Sequence, residues 1–77
     1  MQFFAADVPR KVLLRLAIRL GLDIREIGRH TKLVCITNGK ITMIPRHTMV
    51  KRYTANEIIN HILAMGFSEE EIRGALK

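Results

Sequence analysis

Apolar residues recur at helical spacing near the beginning of the chain, between residues 8 and 20. The positions on the predicted core side are Val12, Leu13, Leu16, Ala17 and Leu20. Basic residues recur every four positions on the opposite side, at Lys11, Arg15 and Arg19. Asp7 is placed to cap this helix, Pro9 is tolerated in its first turn, and Gly21 favours the left-handed conformation that ends a helix.

Three short strands are predicted to follow the first helix. Residues 22–27 alternate imperfectly, whereas the runs LVCIT and KITMI are rich in β-branched residues and flank Asn38-Gly39. Asn-Gly between two such runs favours a two-residue type I′ turn, which places Thr37 opposite Lys40. Both faces of this hairpin are fairly apolar. We expect one face to cover the helices and the other to meet a partner, either another protein or a second copy of this chain.

Two helices are predicted after the strands. Thr54 and Glu57 have the spacing of a capping box, which predicts that a helix starts there. Ser68 and Glu71 form a second capping box, which predicts a last helix over residues 69–76. The sequence therefore predicts one helix, three strands and two helices, in that order.

The length of the chain allows one domain. Seventy-seven residues lie near the lower end of domain sizes, and such a chain buries only about 60% of its unfolded surface. The order of elements predicts a single α+β domain over residues 1–77, without repeats or linkers. A core this small cannot wall a deep pocket, so any chemistry is expected at the surface or at an interface.

Basic residues outnumber acidic ones and are concentrated in the first three-quarters of the chain. The formal net charge is +6, and residues 1–56 contain 11 basic and 3 acidic side chains. A positive surface of this density favours a polyanion as the partner, with ordinary solubility charge as the alternative. The residues expected at a nucleic-acid interface are Lys11, Arg15, Arg19, Arg29, Arg46, Lys51 and Arg52.

Cysteine usage and the apolar runs indicate a reducing, intracellular setting. Cys35 is the single cysteine, so the chain cannot build a disulfide framework or a cysteine-rich zinc site. The longest apolar stretch, residues 12–20, is interrupted by Arg15 and Arg19, which predicts neither a signal peptide nor a membrane span. We therefore expect a cytoplasmic protein with no membrane partner.

Three histidines are the candidates for proton transfer, because imidazole changes its charge near neutral pH. His30 lies among basic residues, and nearby positive charge favours the neutral ring that a general base needs. The type I′ register places His47 across from His30; the alternative is a strand-edge histidine that points into water. His61 lies among apolar helix positions and is expected to be structural. No two histidines have metal-ligand spacing, so neither a metal nor another cofactor is expected.

Four segments of the chain stand in an order and spacing typical of one protein family. They are Gly28-Arg29-His30, the hairpin LVCITNGKITMI, Ile44-Pro45-Arg46-His47, and the run from Gly66 to Glu71. With these segments the chain, over residues 9–76, resembles the HicA-type toxins of bacterial and archaeal toxin–antitoxin pairs. Arg29 stands where that family usually has serine.

The resemblance implies a fold similar to a double-stranded-RNA-binding domain. Its pattern is α-β-β-β-α(-α), in which a three-stranded antiparallel sheet carries the helices on one face. The resemblance also implies a ribosome-independent mRNA endonuclease, or mRNA interferase, with His30 as the catalytic residue. The partner that it implies is a HicB-type antitoxin, which covers the active face.

Three functions are compatible with these observations. The first is metal-independent cleavage of RNA, in which His30 takes the proton of a ribose 2′-hydroxyl and His47 and Lys32 assist. Cations such as Arg29 and Arg46 would offset charge on the phosphoryl oxygens. The second is a non-catalytic RNA-binding module that uses the same basic face. The third is a protein-interaction adaptor that uses the apolar face of the sheet.

Overall fold

Eight helices and strands make up the part of the chain that the computed structural model describes, residues 3–77. They are β1 (Val8–Pro9), α1 (Arg10–Arg19), β2 (Asp23–Ile27), β3 (His30–Val34), β4 (Ile41–Pro45), β5 (Met49–Val50), α2 (Arg52–Ala64) and α3 (Glu69–Leu76). The predicted order of one helix, three strands and two helices is confirmed, and the protein is a small α+β domain. The two-residue strands β1 and β5 were not predicted.

The strands β2, β3 and β4 form one antiparallel sheet in that order. Leu33 and Ile44 are fully buried on one face, whereas Ile41 and Met43 are exposed on the other. Contacts of α1 with β2 and β4, and of α2 with β4, cover the buried face. We call the exposed side the open face; it carries Asp23, Arg25, Ile27, His30, Lys32, Val34, Ile41, Met43 and Pro45.

The core lies between the buried face of the sheet and the helices. Its largest fully buried apolar side chains are Leu13, Leu16, Leu33, Ile44, Val50, Ile59, Ile62 and Ile72. Leu13 and Leu16 lie on the side of α1 that was predicted to face the core, and the basic residues on its other side are exposed. Within residues 3–77, no helix is long and apolar enough to cross a membrane.

The β3–β4 hairpin has a four-residue loop instead of the predicted two-residue turn. Cys35 N–H donates to Lys40 O at 2.8 Å, and Gly39 N–H donates to Cys35 O at 2.8 Å, so residues 36–39 form the loop. Gly39 has a φ of 73°, but Asn38 has no positive φ, which excludes a type I′ turn. The predicted pairing of Thr37 with Lys40 is therefore wrong.

The true register is shifted by two residues from the predicted one. His30 pairs with Pro45 and Val34 pairs with Ile41, so the predicted pairing of His30 with His47 is wrong. A shift of two residues keeps every side chain on its own face, because side chains alternate along a strand. Leu33 and Thr42 therefore share the buried face, and Val34 and Ile41 share the other.

Val8 and Pro9 form a strand rather than the start of a helix. Val8 is buried and pairs with Val50 of β5. Pro9 has an extended ψ of 135°, so α1 begins at Arg10, and Pro9 at the N-cap position makes no side-chain capping hydrogen bond. The predicted helix start at residue 8 and its capping by Asp7 are therefore wrong.

Asp7 instead caps α2. Its Oδ1 accepts a hydrogen bond from Arg52 N–H at 2.9 Å. Because α2 begins at Arg52, Thr54 and Glu57 lie inside the helix, and the capping box predicted for them is wrong. The pairing of β1 with β5 explains this difference, since it brings Asp7 to the start of α2 from a distant part of the chain.

Asn56 holds the N-terminal segment, residues 3–9, against α2. Its Oδ1 accepts hydrogen bonds from Phe3 N–H at 2.7 Å and Phe4 N–H at 2.9 Å, and its Nδ2 donates to Phe4 O at 3.0 Å. Together with the Asp7 cap, these bonds attach the N-terminal segment along the first two turns of the helix.

The C-terminal part of the chain agrees with its prediction. Glu71 N–H donates to Ser68 Oγ at 3.1 Å, and Ser68 N–H donates to Glu71 Oε1 at 2.9 Å. Both halves of the second capping box are therefore present at the start of α3. Gly66, with a φ of 111°, follows the end of α2, and α3 packs against α1.

Candidate functional site

A tight turn places His30 at the beginning of β3. Gly28 and Arg29 are the two residues between the paired positions Ile27 and His30. Gly28 has a φ of 55°, and Arg29 has no positive φ, which is the signature of a type II′ hairpin turn. The turn therefore fixes His30 at the end of the open face, where its side chain is exposed.

His30 and His47 line the same surface cavity of about 550 Å³. The other lining residues are Pro45, Met49, Val50, Lys51, Tyr53 and Thr54. His47 reaches the cavity from the connection between β4 and β5, residues 46–48, and not by pairing with His30. The two predicted catalytic candidates are thus brought to one cavity by an unpredicted route. We call it the histidine cavity.

The walls of the histidine cavity combine apolar and cationic groups. Pro45, Met49 and Val50 supply apolar surface, and Tyr53 adds an aromatic ring that is 69% exposed. Lys51 supplies an exposed ammonium group. No carboxylate is among the lining residues of this cavity in the described part of the chain. Such a surface is suited to an anion that carries a flat, partly apolar group.

Further cations lie beside His30 on the open face. Lys32 follows His30 by two residues, so both side chains point to the same side of β3. Arg25 is the cross-strand partner of Lys32, and its Nε donates to Asp23 Oδ2 at 2.7 Å. Arg29 is exposed in the turn itself.

A hydrogen-bonded network connects the start of α1 with β2, β3 and Arg46. Glu26 Oε1 accepts from Thr31 Oγ1 at 2.8 Å and from Arg46 at 2.6 Å, and lies 3.8 Å from Arg10. Arg10 also donates to the buried Thr31 hydroxyl. The Thr31 hydrogen bond, followed by the two guanidinium groups, lowers the pKa of the Glu26 carboxyl. This network holds residues 46–48 against the beginning of α1.

A second cavity, of about 330 Å³, lies next to this network. It is lined by Pro9, Arg10, Lys11, Arg46, His47 and Thr48. Arg10 N–H donates to Thr48 O at 2.9 Å, which closes its rim between α1 and residues 46–48. We call it the cationic cavity. His47 lines both cavities, so they are neighbours.

The basic residues expected at the interface do not form one continuous row. Lys11, Arg46 and Lys51 line the two cavities. Arg15 is exposed on the next turn of α1, and Arg52 is exposed at the start of α2. Arg19 lies at the far end of α1, where its guanidinium donates to Ala75 O at 3.0 Å and to Lys77 O. These bonds compete with any contact that Arg19 makes to a phosphate.

Two other reactive side chains lie away from the cavities. His61 Nδ1 is 2.7 Å from the buried Thr42 Oγ1, which fits the structural role expected for it. Cys35 is buried, and hydrogen bonding to Thr37 lowers the pKa of its thiol. Among residues 3–77, no group of three or more His, Cys, Asp and Glu side chains is placed to hold a metal ion.

Some lining residues have no signal in the sequence. Arg10, Met49 and Thr48 enter the cavities because β1 pairs with β5, and two-residue strands are too short to show a period. Tyr53 does have a recognisable signal, since an exposed aromatic residue beside basic ones suits the stacking of a base.

The arrangement offers one exposed imidazole to take a proton, a second to give one back, and cations to hold an anion between them. Comparison of the chain with protein-family models, with curated protein sequences and with solved structures finds no match. We therefore infer the function from the geometry of the two cavities and from the resemblance of the sequence to the HicA-type toxins.

Proposed function

We propose that this protein is a metal-independent endoribonuclease, an mRNA interferase toxin of a type II toxin–antitoxin pair similar to the HicA-type toxins. The observation that supports this proposal most strongly is the histidine cavity, which is lined by both His30 and His47. The positive charge around it suits a polyanionic substrate.

In the proposed reaction, neutral His30 takes the proton of a ribose 2′-hydroxyl. The 2′-oxygen then attacks the adjacent phosphorus, and the bond between phosphorus and the 5′-oxygen breaks. Protonated His47 gives its proton to the departing 5′-oxygen. The products are one strand with a 2′,3′-cyclic phosphate and one with a 5′-hydroxyl group, and proton exchange with water returns both imidazoles to their starting states.

Cations near His30 would stabilise the charge that develops on the phosphoryl oxygens. Lys32 is on the same face of β3, and Arg29 is the residue immediately before His30. Arg46 keeps one guanidinium nitrogen on Glu26, but the guanidinium group has further N–H donors for a phosphate. Lys32 and Arg29 are therefore the main cations at the phosphoryl oxygens, and Arg46 assists from the side of His47.

We further propose that the topology is that of a double-stranded-RNA-binding domain and that a HicB-type antitoxin covers the active side. The order α1, β2, β3, β4, α2 supports the topology. The open face supports the partner, because it exposes Ile27, Ile41 and Met43 beside His30. The same patch also suits pairing with a second copy of the chain.

A non-catalytic RNA-binding module is the second candidate function. Arg29 in place of the family's serine favours it, because a guanidinium adds a phosphate contact but stays protonated and cannot transfer a proton at neutral pH. Both candidates predict RNA binding that weakens steeply as salt rises, since each phosphate contact releases bound counterions.

The test is incubation of the purified chain with a long single-stranded RNA in the presence of a chelator. Cleavage that leaves 2′,3′-cyclic phosphate ends, together with protection of an RNA whose 2′-hydroxyls are methylated, supports the endonuclease. Salt-dependent binding without cleavage supports the second candidate. Affinity that does not change with salt, or no binding, contradicts both.

A further inference from the structure

The cationic cavity has a composition that suits one phosphate group. Lys11 and Arg46 are exposed beside it, and Arg10 forms part of its wall. Glu26 forms ion pairs with two of these cations, Arg10 and Arg46, which share its single carboxylate. The cavity therefore keeps a local excess of positive charge even when that ion pair is intact.

The two arginines are held in place before any ligand arrives. Arg10 is bonded to Thr31, whose hydroxyl is completely buried, and Arg46 is bonded to Glu26 at 2.6 Å. A cation with a fixed position loses less conformational entropy on binding than a mobile one. Lys11 is the more mobile member, because its side chain is exposed and has no hydrogen-bond partner in the described part of the chain.

The position of the cavity relates it to the proposed reaction. His47 lines the cationic cavity on one side and the histidine cavity on the other. A strand with its reacting phosphate between His30 and His47 can continue past His47 in one of its two directions. The cationic cavity is the basic surface that it meets there.

We propose that the cationic cavity is a phosphate subsite that holds the phosphodiester next to the one cleaved, with Lys11 and Arg46 as its ligands. This inference rests on the proposed function and deepens it, because it names which phosphates the protein grips. It also assigns a direction to the strand, across His47 towards the start of α1.

The first test is a titration of the ¹⁵N-labelled full chain with inorganic phosphate, followed by amide chemical shifts. Chloride at matched ionic strength is the reference. We expect saturable shifts at residues 10–12 and 46–48, and an affinity about tenfold weaker in Lys11→Gln, because a charge-assisted hydrogen bond is lost. Lys77→Gln removes the same charge at the far end of α1 and is the matched control.

The second test uses a short single-stranded RNA and measures affinity against salt. Lys11→Gln is expected to reduce the slope of log K against log salt by about 0.7, and Lys77→Gln to leave it unchanged. Equal effects of the two variants, or phosphate shifts that do not saturate, would overturn the subsite and leave only diffuse surface charge.

The two proposals fail in different ways. If the wild type does not cleave RNA but Lys11→Gln still weakens phosphate and RNA binding, the cationic cavity stands as a phosphate-binding site, and the endonuclease does not. If cleavage is present and both binding tests show no difference between the variants, only the subsite is wrong.

Discussion

The three-stranded sheet is used differently at its two ends. At one end, loop 36–39 and its neighbour bind the last turn of α2: Asn38 Nδ2 donates to Met65 O at 2.8 Å and Lys40 Nζ donates to Ala64 O at 3.0 Å. At the other end, His30 and His47 are exposed, and neither imidazole has a hydrogen-bond partner within residues 3–77. The first end donates hydrogen bonds to the last carbonyl groups of a helix, which have no partner within the helix. The second end exposes two imidazoles to solvent.

The difference indicates where function and stability are separated in this small domain. Polar residues at the loop end are engaged by the fold, so their loss is expected to reduce stability. The two exposed histidines at the other end add little to the core, so their loss is expected to change activity and leave the fold intact. The following variants test this separation, from the largest expected effect to the smallest.

His30→Ala is expected to reduce RNA cleavage by about 10²–10⁴-fold, the usual contribution of a positioned general base. RNA binding and the thermal midpoint should stay near the wild-type values, because His30 is exposed at the start of a strand. Cleavage of a long single-stranded RNA in chelator measures the first, and circular dichroism melts measure the second.

His61→Gln is the matched control for that variant, since His61 lies on α2 and is bonded to Thr42. It should cleave RNA like the wild type at temperatures below its melting transition. Equal cleavage by His30→Ala and the wild type would remove His30 from the reaction.

Gly28→Val and Gly39→Val compare the two turns directly. Both glycines have positive φ, and no neighbouring atom of residues 3–77 lies within 4 Å of an added Cβ at either position, so the cost is backbone strain of about 1–3 kcal/mol in each case. Both variants should melt lower, by about 4–8 °C for each kcal/mol.

Activity separates the two glycine variants. Gly28→Val should also lose cleavage well below its melting temperature, because it distorts the turn that positions His30. Gly39→Val should retain cleavage under the same conditions. An unchanged melting midpoint in Gly39→Val would contradict the loop conformation described for residues 36–39.

Asn38→Ala is expected to reduce the free energy of unfolding by about 1–2 kcal/mol, because it removes the amide donor of the Met65 carbonyl and the side-chain acceptor of the Lys40 N–H. Urea unfolding measures this change, with exposed Asn60→Ala on α2 as the control. RNA cleavage should be unaffected. A loss of cleavage with unchanged stability would mean that the loop end also belongs to the functional site.

Glu26→Gln tests the network behind Arg46 by its pH dependence. Hydrogen bonding from Thr31 and the charges of Arg46 and Arg10 lower the pKa of Glu26 from its ordinary value of 4.5. The ionised carboxylate therefore stabilises the fold at pH values above 4.5. That stabilisation is lost as the pH falls through the lowered pKa. The melting temperature of the wild type should therefore fall more steeply below pH 4.5 than that of Glu26→Gln, whereas Glu70→Gln should follow the wild type.

Local signals account for most of the elements that the sequence predicts correctly. The second capping box and the core side of α1 depend on residues within a few positions of one another. The Asn38-Gly39 turn fails because the Asn38 amide binds Met65, far along the chain. The Asp7 cap fails for the same kind of reason, since its acceptor is used by Arg52.

The candidate site is also only partly predictable. His30 follows a glycine and one further residue, so its place at the start of a strand is a local property. The approach of His47 depends on the connection between β4 and β5, and hence on the pairing of Val8 with Val50. Face alternation survives a register error of two residues, but the partner across the strand does not.

The attachment of the N-terminal segment to α2 has a consequence for the order of folding. The β2–β3 and β3–β4 hairpins join neighbours in the chain, whereas the Asp7–Arg52 bond closes a loop of 45 positions, at a higher entropic cost. The segment that carries His47 is held by this distant closure. We therefore expect a newly made chain to fold its sheet before it completes the histidine cavity, and we expect native-state opening to release the cavity before the sheet. Under the proposed function, we expect RNA cleavage to appear only after this distant contact has formed.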